Sequence, residues 1–292
     1  MTGTTRAVAE GANRFRHPGI VERLADSFAR LPIGPSIRRQ LKRIYRVALT
    51  VQTGGRGLVR QLPGGEVIRV LPRYDYITWN PDEYRAFREV VKPGMVALDV
   101  GANVGAYATL LGRWVGPNGR VFAFEPVPGA FQGLTQHVRL NDLSEKVTPV
   151  CAAVGSSSSI APLLSDAATG ESRLVVASDA GRPATPVRVT TIDEFCARES
   201  IAPDFIKIDV EGSELDALRG ARETIRNRRG KLALFVEMHP SVWPAIGVRK
   251  EDIEAELRYQ WLAARSLTGA ADISTVEGIC LRLVAVSSTN RP

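Results

Sequence analysis

No apolar run in the sequence approaches the roughly 20 residues needed to cross a bilayer, so a transmembrane anchor is not expected. The first thirty residues are mixed and polar and lack both the apolar stretch and the small-residue cleavage site of a secretory signal, which points to the cytoplasm. Cysteine is scarce. Cys151, Cys196 and Cys280 form an odd, widely spaced set without metal-type pairing. Each is flanked by apolar or small residues, so all three are expected as buried thiols in a reducing compartment. Internal repeats are also missing, which argues against solenoids and arrays.

What remains is an ordinary globular composition, 44% apolar and 24% charged over 292 residues, enough for one large α/β domain with an appended arm. The net charge of +7 is concentrated near the start. Arg38, Arg39, Lys42, Arg43 and Arg46 interleave with Ile37, Leu41, Ile44, Tyr45 and Leu49 at helical spacing, which predicts a basic amphipathic helix over 37–49. Its apolar stripe is expected to pack on the body or on a second subunit of a homo-oligomer, with the arginines in water. A peripheral membrane contact, or a lid over an anionic substrate, ranks below packing. Charge this localised does not call for nucleic acid.

We place residues 1–78 in an N-terminal arm made of this helix and a small hairpin, Leu58 to Leu71, turning at Leu62-Pro63-Gly64-Gly65. Residues 79–292 form the main domain. A helix is expected from Pro81 to Val91, with proline in its first turn. From there short apolar strands alternate with helices, as in a doubly wound, mostly parallel sheet. The strands are Met95 to Val100, Arg120 to Phe124, Val147 to Val150, Phe205 to Val210 and Leu232 to Met238. Residues 155–188, with four consecutive serines, two glycine turns and an apolar run at Leu174 to Ala177, are expected as an inserted loop and hairpin. A helix from Lys250 to Tyr259 and a strand from Ile279 to Val286 close the chain.

The strand ending at Asp99 runs into Gly101-Ala102-Asn103-Val104-Gly105 and then a helical segment, Ala106 to Val115. Glycine allows positive φ and lets a ligand approach the backbone, and the helix N-terminus favours an anionic group such as a carboxylate. The spacing is Gly-x-x-x-Gly, without the third glycine that dinucleotide sites use. About 20 residues on, the next strand delivers Glu125, whose two oxygens suit a ribose diol.

The string VALDVGANVGAYATLLGRWVGPNGRVFAFEPVPGAF resembles the first half of the FkbM-family methyltransferases, and TTIDEFCARESIAPDFIKIDVEGSELDALRGA resembles the second half. The resemblance covers roughly Trp79 to Pro240. It implies a class I, Rossmann-like methyltransferase fold using S-adenosylmethionine, with hydroxyls of sugars, glycolipid or polysaccharide units and polyketide-type products as acceptors. By the same resemblance Asp99, Gly101, Asn103 and Gly105 match the cofactor loop, Glu125 and Pro126 the ribose-holding acid, and Asn141 the asparagine closing the next helix. One departure stands out: family members often show Glu-Pro-Glu ahead of the core, where this chain has Asn80-Pro81-Asp82.

Ligands of open α/β sheets bind beyond the carboxyl ends of the strands, where Lys207-Ile208-Asp209-Val210-Glu211-Gly212 falls. If the strand reaches Val210, alternation brings Lys207, Asp209 and Glu211 to one side. Transfer to a hydroxyl needs a general base, and Asp209, Glu211 and His239 are the candidates. His239 is favoured because an unperturbed imidazole titrates near neutrality. The plainer readings are a packing histidine and a structural Lys207–Asp209 ion pair. Asp209, Glu211 and Glu237 leave a divalent metal open, but no spacing is diagnostic and none is predicted. A nicotinamide-dependent oxidoreductase and a noncatalytic cofactor-binding module are the rival functions.

Overall fold

The computed structural model describes residues 34–165, 172–174, 184–269 and 277–286. The basic segment forms α1 (Pro35–Thr53), with proline in its first turn and a stop at Gly54, which adopts left-handed φ and returns its N–H to Val51. The hairpin follows as β1 (Leu58–Gln61) and β2 (Val67–Val70), antiparallel and closed by hydrogen bonds between Leu62, Gly65 and Glu66. The turn Pro72–Tyr74 then leads to α2 (Pro81–Val90). Asn80 caps α2, its side chain accepting from the N–H groups of Asp82 and Glu83.

Only part of the apolar stripe of α1 packs on the body. Tyr45 and Leu49, one turn apart, face the body, and Leu49 is buried. Ile37, Leu41, Ile44, Val47 and Val51 are exposed. The body offers this helix mainly the short turn at Pro72–Tyr74, and so covers only one edge of its apolar face.

The main sheet contains β3 (Val96–Val100), β4 (Arg120–Phe124), β5 (Val147–Val150), β10 (Phe205–Ile208), β11 (Ala233–Met238), β12 (Leu262–Ser266) and β13 (Ile279–Ala285). Its order is β12-β13-β11-β10-β3-β4-β5, parallel from β11 to β5 and antiparallel at the β13 and β12 edge. This is the expected doubly wound, mostly parallel sheet, and its direction of winding reverses between β3 and β10. Strands buried on both faces are apolar nearly throughout. One face packs Leu98, Ile206 and Val236 on α5 (Ile192–Glu199), α6 (Glu214–Arg219) and α7 (Arg222–Asn227). The other packs Ala97, Phe205 and Phe235 beneath α2 and α3 (Ala106–Trp114), with Phe87 edge-on to both phenylalanines.

The hairpin is bound into that second core through Leu62, Ile68 and Val70. Two side chains of α4 (Pro128–Leu140) and its cap hold it there. Asn141 accepts from Arg69 N–H and donates to the carbonyls of Arg69 and His137, all at 2.8 Å. His137 Nε2 accepts from Leu71 N–H, so its Nδ1–H donates to Val104 O in the glycine loop. Asn141→Ala leaves the part-buried backbone N–H and C=O of Arg69 without their partner and is expected to lower stability by about 1–2 kcal/mol, measured by denaturant unfolding. A loss below about 0.5 kcal/mol would show that the hairpin is held by its apolar face alone.

The insertion forms a second sheet of β6 (Ala153–Val154), β9 (Thr185–Thr190), β7 (Ser159–Ser165) and β8 (Ser172–Leu174), in that order, around Ala153, Leu163, Val187 and Val189. Of the expected apolar run, residues 175–177 lie outside the described residues. The terminal helix is α8 (Lys250–Tyr259). The cysteines correct one expectation: Cys196 and Cys280 are buried thiols, but Cys151 is exposed, because it follows the last residue of β5 where the chain leaves the sheet.

Candidate functional site: a cofactor cleft beside a buried ionic cluster

A cleft of about 640 Å³, open mouth included, lies over the carboxyl ends of β3, β4 and β10, lined by Gly101, Asn103, Glu125 and Glu211, with Leu163 from the insertion. Gly101 has φ +81°, and a Cβ there would sit 1.7 Å from the carbonyl oxygen of Asp209, so only glycine fits. Gly105, at φ +92°, opens α3, and a Cβ would meet Leu134. Asn103 takes the left-handed conformation that asparagine tolerates, φ 48°. Its N–H donates to Glu125 Oε2 at 2.9 Å while Val127 N–H donates to Oε1 at 2.8 Å. Burial pushes the Glu125 carboxyl up to about 7 against those two hydrogen bonds.

Beside the cleft, on the face of the sheet under α2 and α3, the strands carry charge instead of hydrocarbon. Lys207 is in register with Asp99, and its ammonium lies 2.8 Å from Asp209 Oδ2 and 5.2 Å from the Tyr107 ring centre. Burial alone would strip its proton, but Asp209, Asp99, Glu237 and Glu83 hold it well above the ordinary lysine range. Asp99 is fully buried, which raises it to about 6 against the pull of Lys207. Glu83 is raised by burial, with Lys207 and a hydrogen bond from Tyr107 opposing. Glu237 is pushed to about 8 by burial and by Asp209.

His239 follows β11. Its Nδ1 is 2.7 Å from Oε1 of Glu214, a fully buried carboxylate that also accepts from Gly212 N–H and Trp243 Nε1–H. The other ring nitrogen faces Asp209 Oδ1 at 3.7 Å and Glu237 Oε1 at 3.9 Å. Burial disfavours the imidazolium, but Glu214 and Asp209 outweigh it and raise His239 to about 9. The premise of an unperturbed imidazole therefore fails: three carboxylates gather round the ring, and it carries a proton at neutral pH.

Glu211 is the second correction. The strand stops at Ile208 rather than Val210, and Glu211 has φ 38°, so alternation does not extend to it. It lines the cleft near Glu125, as Asp209 also does, but it is Asp209 that pairs with the buried Lys207. Asp209, Glu237 and His239 offer ligand atoms within 4.8 Å of one another, a set that could hold a metal and that includes His239 where Glu211 was expected. Glu83 and Glu214 join the site from the first turns of α2 and α6, where an acid carries no distinctive sequence signal. Asn80, at the departure from Glu-Pro-Glu, is a helix cap.

The model of the methyltransferase FkbM domain matches residues 99–261, more than half of the chain. The chain belongs to the FkbM methyltransferase family. It is 27% identical over 168 residues to the hexuronic acid methyltransferase AglP of Haloferax volcanii, covering 56% of this chain and 64% of that protein. A solved FkbM methyltransferase from Methylobacillus flagellatus is similar at 22% identity and a TM-score of 0.44, over 69% of this chain and 50% of that one. Fibrillarin of Aeropyrum pernix, solved with natively bound S-adenosyl-L-methionine, is similar at 17% identity and a TM-score of 0.44, over 77% and 93%.

The family match and the doubly wound, mostly parallel sheet agree with the S-adenosylmethionine cofactor expected from the sequence, and the nicotinamide rival is not favoured. The cleft fits that cofactor: the Gly101 cradle admits backbone-close contact, and Glu125 ends β4 where a diol would be held. No helix among the described residues is long and apolar enough to cross a membrane.

Proposed function

We propose that this chain transfers the methyl group of S-adenosylmethionine to a hydroxyl of a sugar or related hydroxylated natural product. The observation that carries the proposal is the Glu214–His239 pair, whose free nitrogen faces the carboxylates of Asp209 and Glu237 beside the cofactor cleft. Bound S-adenosylmethionine supplies an electrophilic methyl on sulfur; attack by the acceptor oxygen forms O–CH3, breaks S–CH3 and releases the hydroxyl proton. His239 takes that proton at Nε2 in its deprotonated form, while Glu214 holds Nδ1–H and fixes the ring. Asp209, anchored by Lys207, accepts a hydrogen bond from an acceptor hydroxyl, and Glu237, raised to about 8, offers the acceptor a mostly protonated carboxyl beside it. The hexuronic acid specificity in the AglP relative's name supports a sugar as acceptor class.

Asp99, Gly101, Asn103, Gly105, Glu125 and Pro126 form the donor side of this reading. Glu125→Gln keeps the shape but puts an amide where two backbone N–H groups and two ribose hydroxyls need acceptors. S-adenosylmethionine binding is expected to weaken about tenfold or more by calorimetry, and unchanged affinity would move the ribose site elsewhere.

We read the Asp209, Glu237 and His239 set as working without a metal, because the buried Lys207 ammonium already brings a positive charge to it. The decisive assay incubates the chain with methyl-labelled cofactor and a panel of hexuronic acids, neutral sugars and hydroxylated polyketides, with and without a chelator. The expected product keeps its label through mild alkali, as an ether does, and forms equally with chelator present. An alkali-labile product would be a carboxyl ester, which needs no proton removal and would overturn the role of His239. Activity abolished by the chelator and restored by a divalent cation would overturn the metal-free reading.

A further inference from the structure

The exposed face of α1 contributes no residue to the lining of the cleft described above. Ile37, Leu41, Ile44, Val47 and Val51 are between 41% and 76% exposed. At 100° per residue they fall, with exposed Ala48, within about one third of the helix circumference, a continuous aliphatic strip over four turns. The same helix holds five basic residues, Arg38, Arg39, Lys42, Arg43 and Arg46, and no acidic one. Exposed Arg43 lies one turn from Val47 at the edge of the strip. Arg46 is turned instead toward Asp75, at 3.7 Å.

We infer that α1 is a membrane-surface helix that lays this strip into the interface of an anionic lipid bilayer. Charge selects the occupant. A second copy would set the basic positions that flank the strip, 38 and 43, against like charge, with no acidic residue on the helix to offset them, which opposes a helix–helix dimer. A neutral apolar groove would accept the strip but leave the arginines without counter-charge. An anionic lipid surface satisfies both, since each basic residue near it contributes about 1 kcal/mol, roughly fivefold in partitioning. The strip is aliphatic and lies flat; the helix does not span.

The full chain is to be sedimented with vesicles of phosphatidylcholine alone and of phosphatidylcholine mixed with phosphatidylserine. It is expected to sediment with the anionic vesicles and not with the neutral ones, and to be released as added salt screens the lipid charge. The double variant Leu41→Asp/Ile44→Asp is expected to lose binding at least tenfold, with its melting temperature and its calorimetric affinity for S-adenosylmethionine unchanged. Failure to sediment with anionic vesicles, equal binding to neutral ones, or sedimentation of the double variant like the parent would overturn the inference. A dimer in light scattering that the double variant dissociates would assign the strip to a second copy instead. A melting temperature sharply lowered in that variant would assign it to the chain's own packing. None of these outcomes depends on the acceptor or on the proposed base.

Discussion

His239→Ala is expected to lower kcat by about 10²–10⁴-fold, the range for loss of a general base, with S-adenosylmethionine affinity nearly unchanged. The pH dependence carries the distinctive signature. Since His239 titrates at about 9 in the free protein, only a small fraction is deprotonated at neutrality, and turnover should rise with pH as that proton is lost. The inflection should fall at or below about 9, because a cationic cofactor alongside opposes protonation of the ring. The alanine variant should lose this limb, and Glu214→Gln should shift it to lower pH by weakening the hold on the imidazolium. A variant that kept both its kcat and the alkaline rise would remove His239 from the chemistry. Stability moves the other way. A histidine whose folded pKa is raised stabilises the fold fully below about 6.5, and loses that contribution as pH climbs to about 9. The form competent as a base is therefore the less stable one, and the two curves, activity and melting temperature, are expected to cross-trend between those limits.

The second large effect is on folding. Lys207→Met removes the buried cation of a cluster that contains Asp99, Asp209, Glu83 and Glu237, and is expected to destabilise the protein by about 3–5 kcal/mol at neutral pH. The side chain is only 2% exposed as a residue, so water cannot replace it. Methionine fills much the same volume beside the Tyr107 ring, which confines the loss to charge rather than packing. Asp209 is the carboxylate most affected: burial raises it, but Lys207 and His239 keep it below its ordinary range. Without Lys207 its pKa rises, so protonation relieves the variant as pH falls. Urea unfolding at pH 7.5 and 5.5 should show the gap to the parent narrowing at the lower pH. A loss under about 1 kcal/mol at pH 7.5 would mean that the cluster sheds its charge by other means.

The parallel core and the glycine turn from Gly101 to Gly105 were legible because their signals are local. Strands buried on both faces are written as unbroken apolar runs, and the order of Asp99, Gly101, Gly105 and Glu125 reflects one strand, one turn and one helix in succession. The edge strand at Leu262–Ser266 was not legible, since Leu-Ala-Ala-Arg-Ser has little strand propensity and is extended only by pairing with β13. Glu83 reads as a second acid in the first turn of a helix, an ordinary complement to the dipole, and only the packing of α2 on the sheet sets it among Lys207 and Tyr107. Glu214 opens a short helix and reads the same way, although it is the residue that orients His239. Glu211 was misplaced because alternation was carried two residues beyond the end of the strand. The α1 strip was visible as a pattern, but which side of it would meet the body depended on how little surface the 72–74 turn presents.

Gly101 touches the Asp209 carbonyl backbone to backbone, with no side chain between them to rotate or compress. The Gly101 loop and the loop that carries Asp209 are therefore in direct backbone contact. If the donor fills the first loop as proposed, initial-rate kinetics are expected to show ordered addition, donor before acceptor, and a random-order pattern would mean that the two loops settle independently.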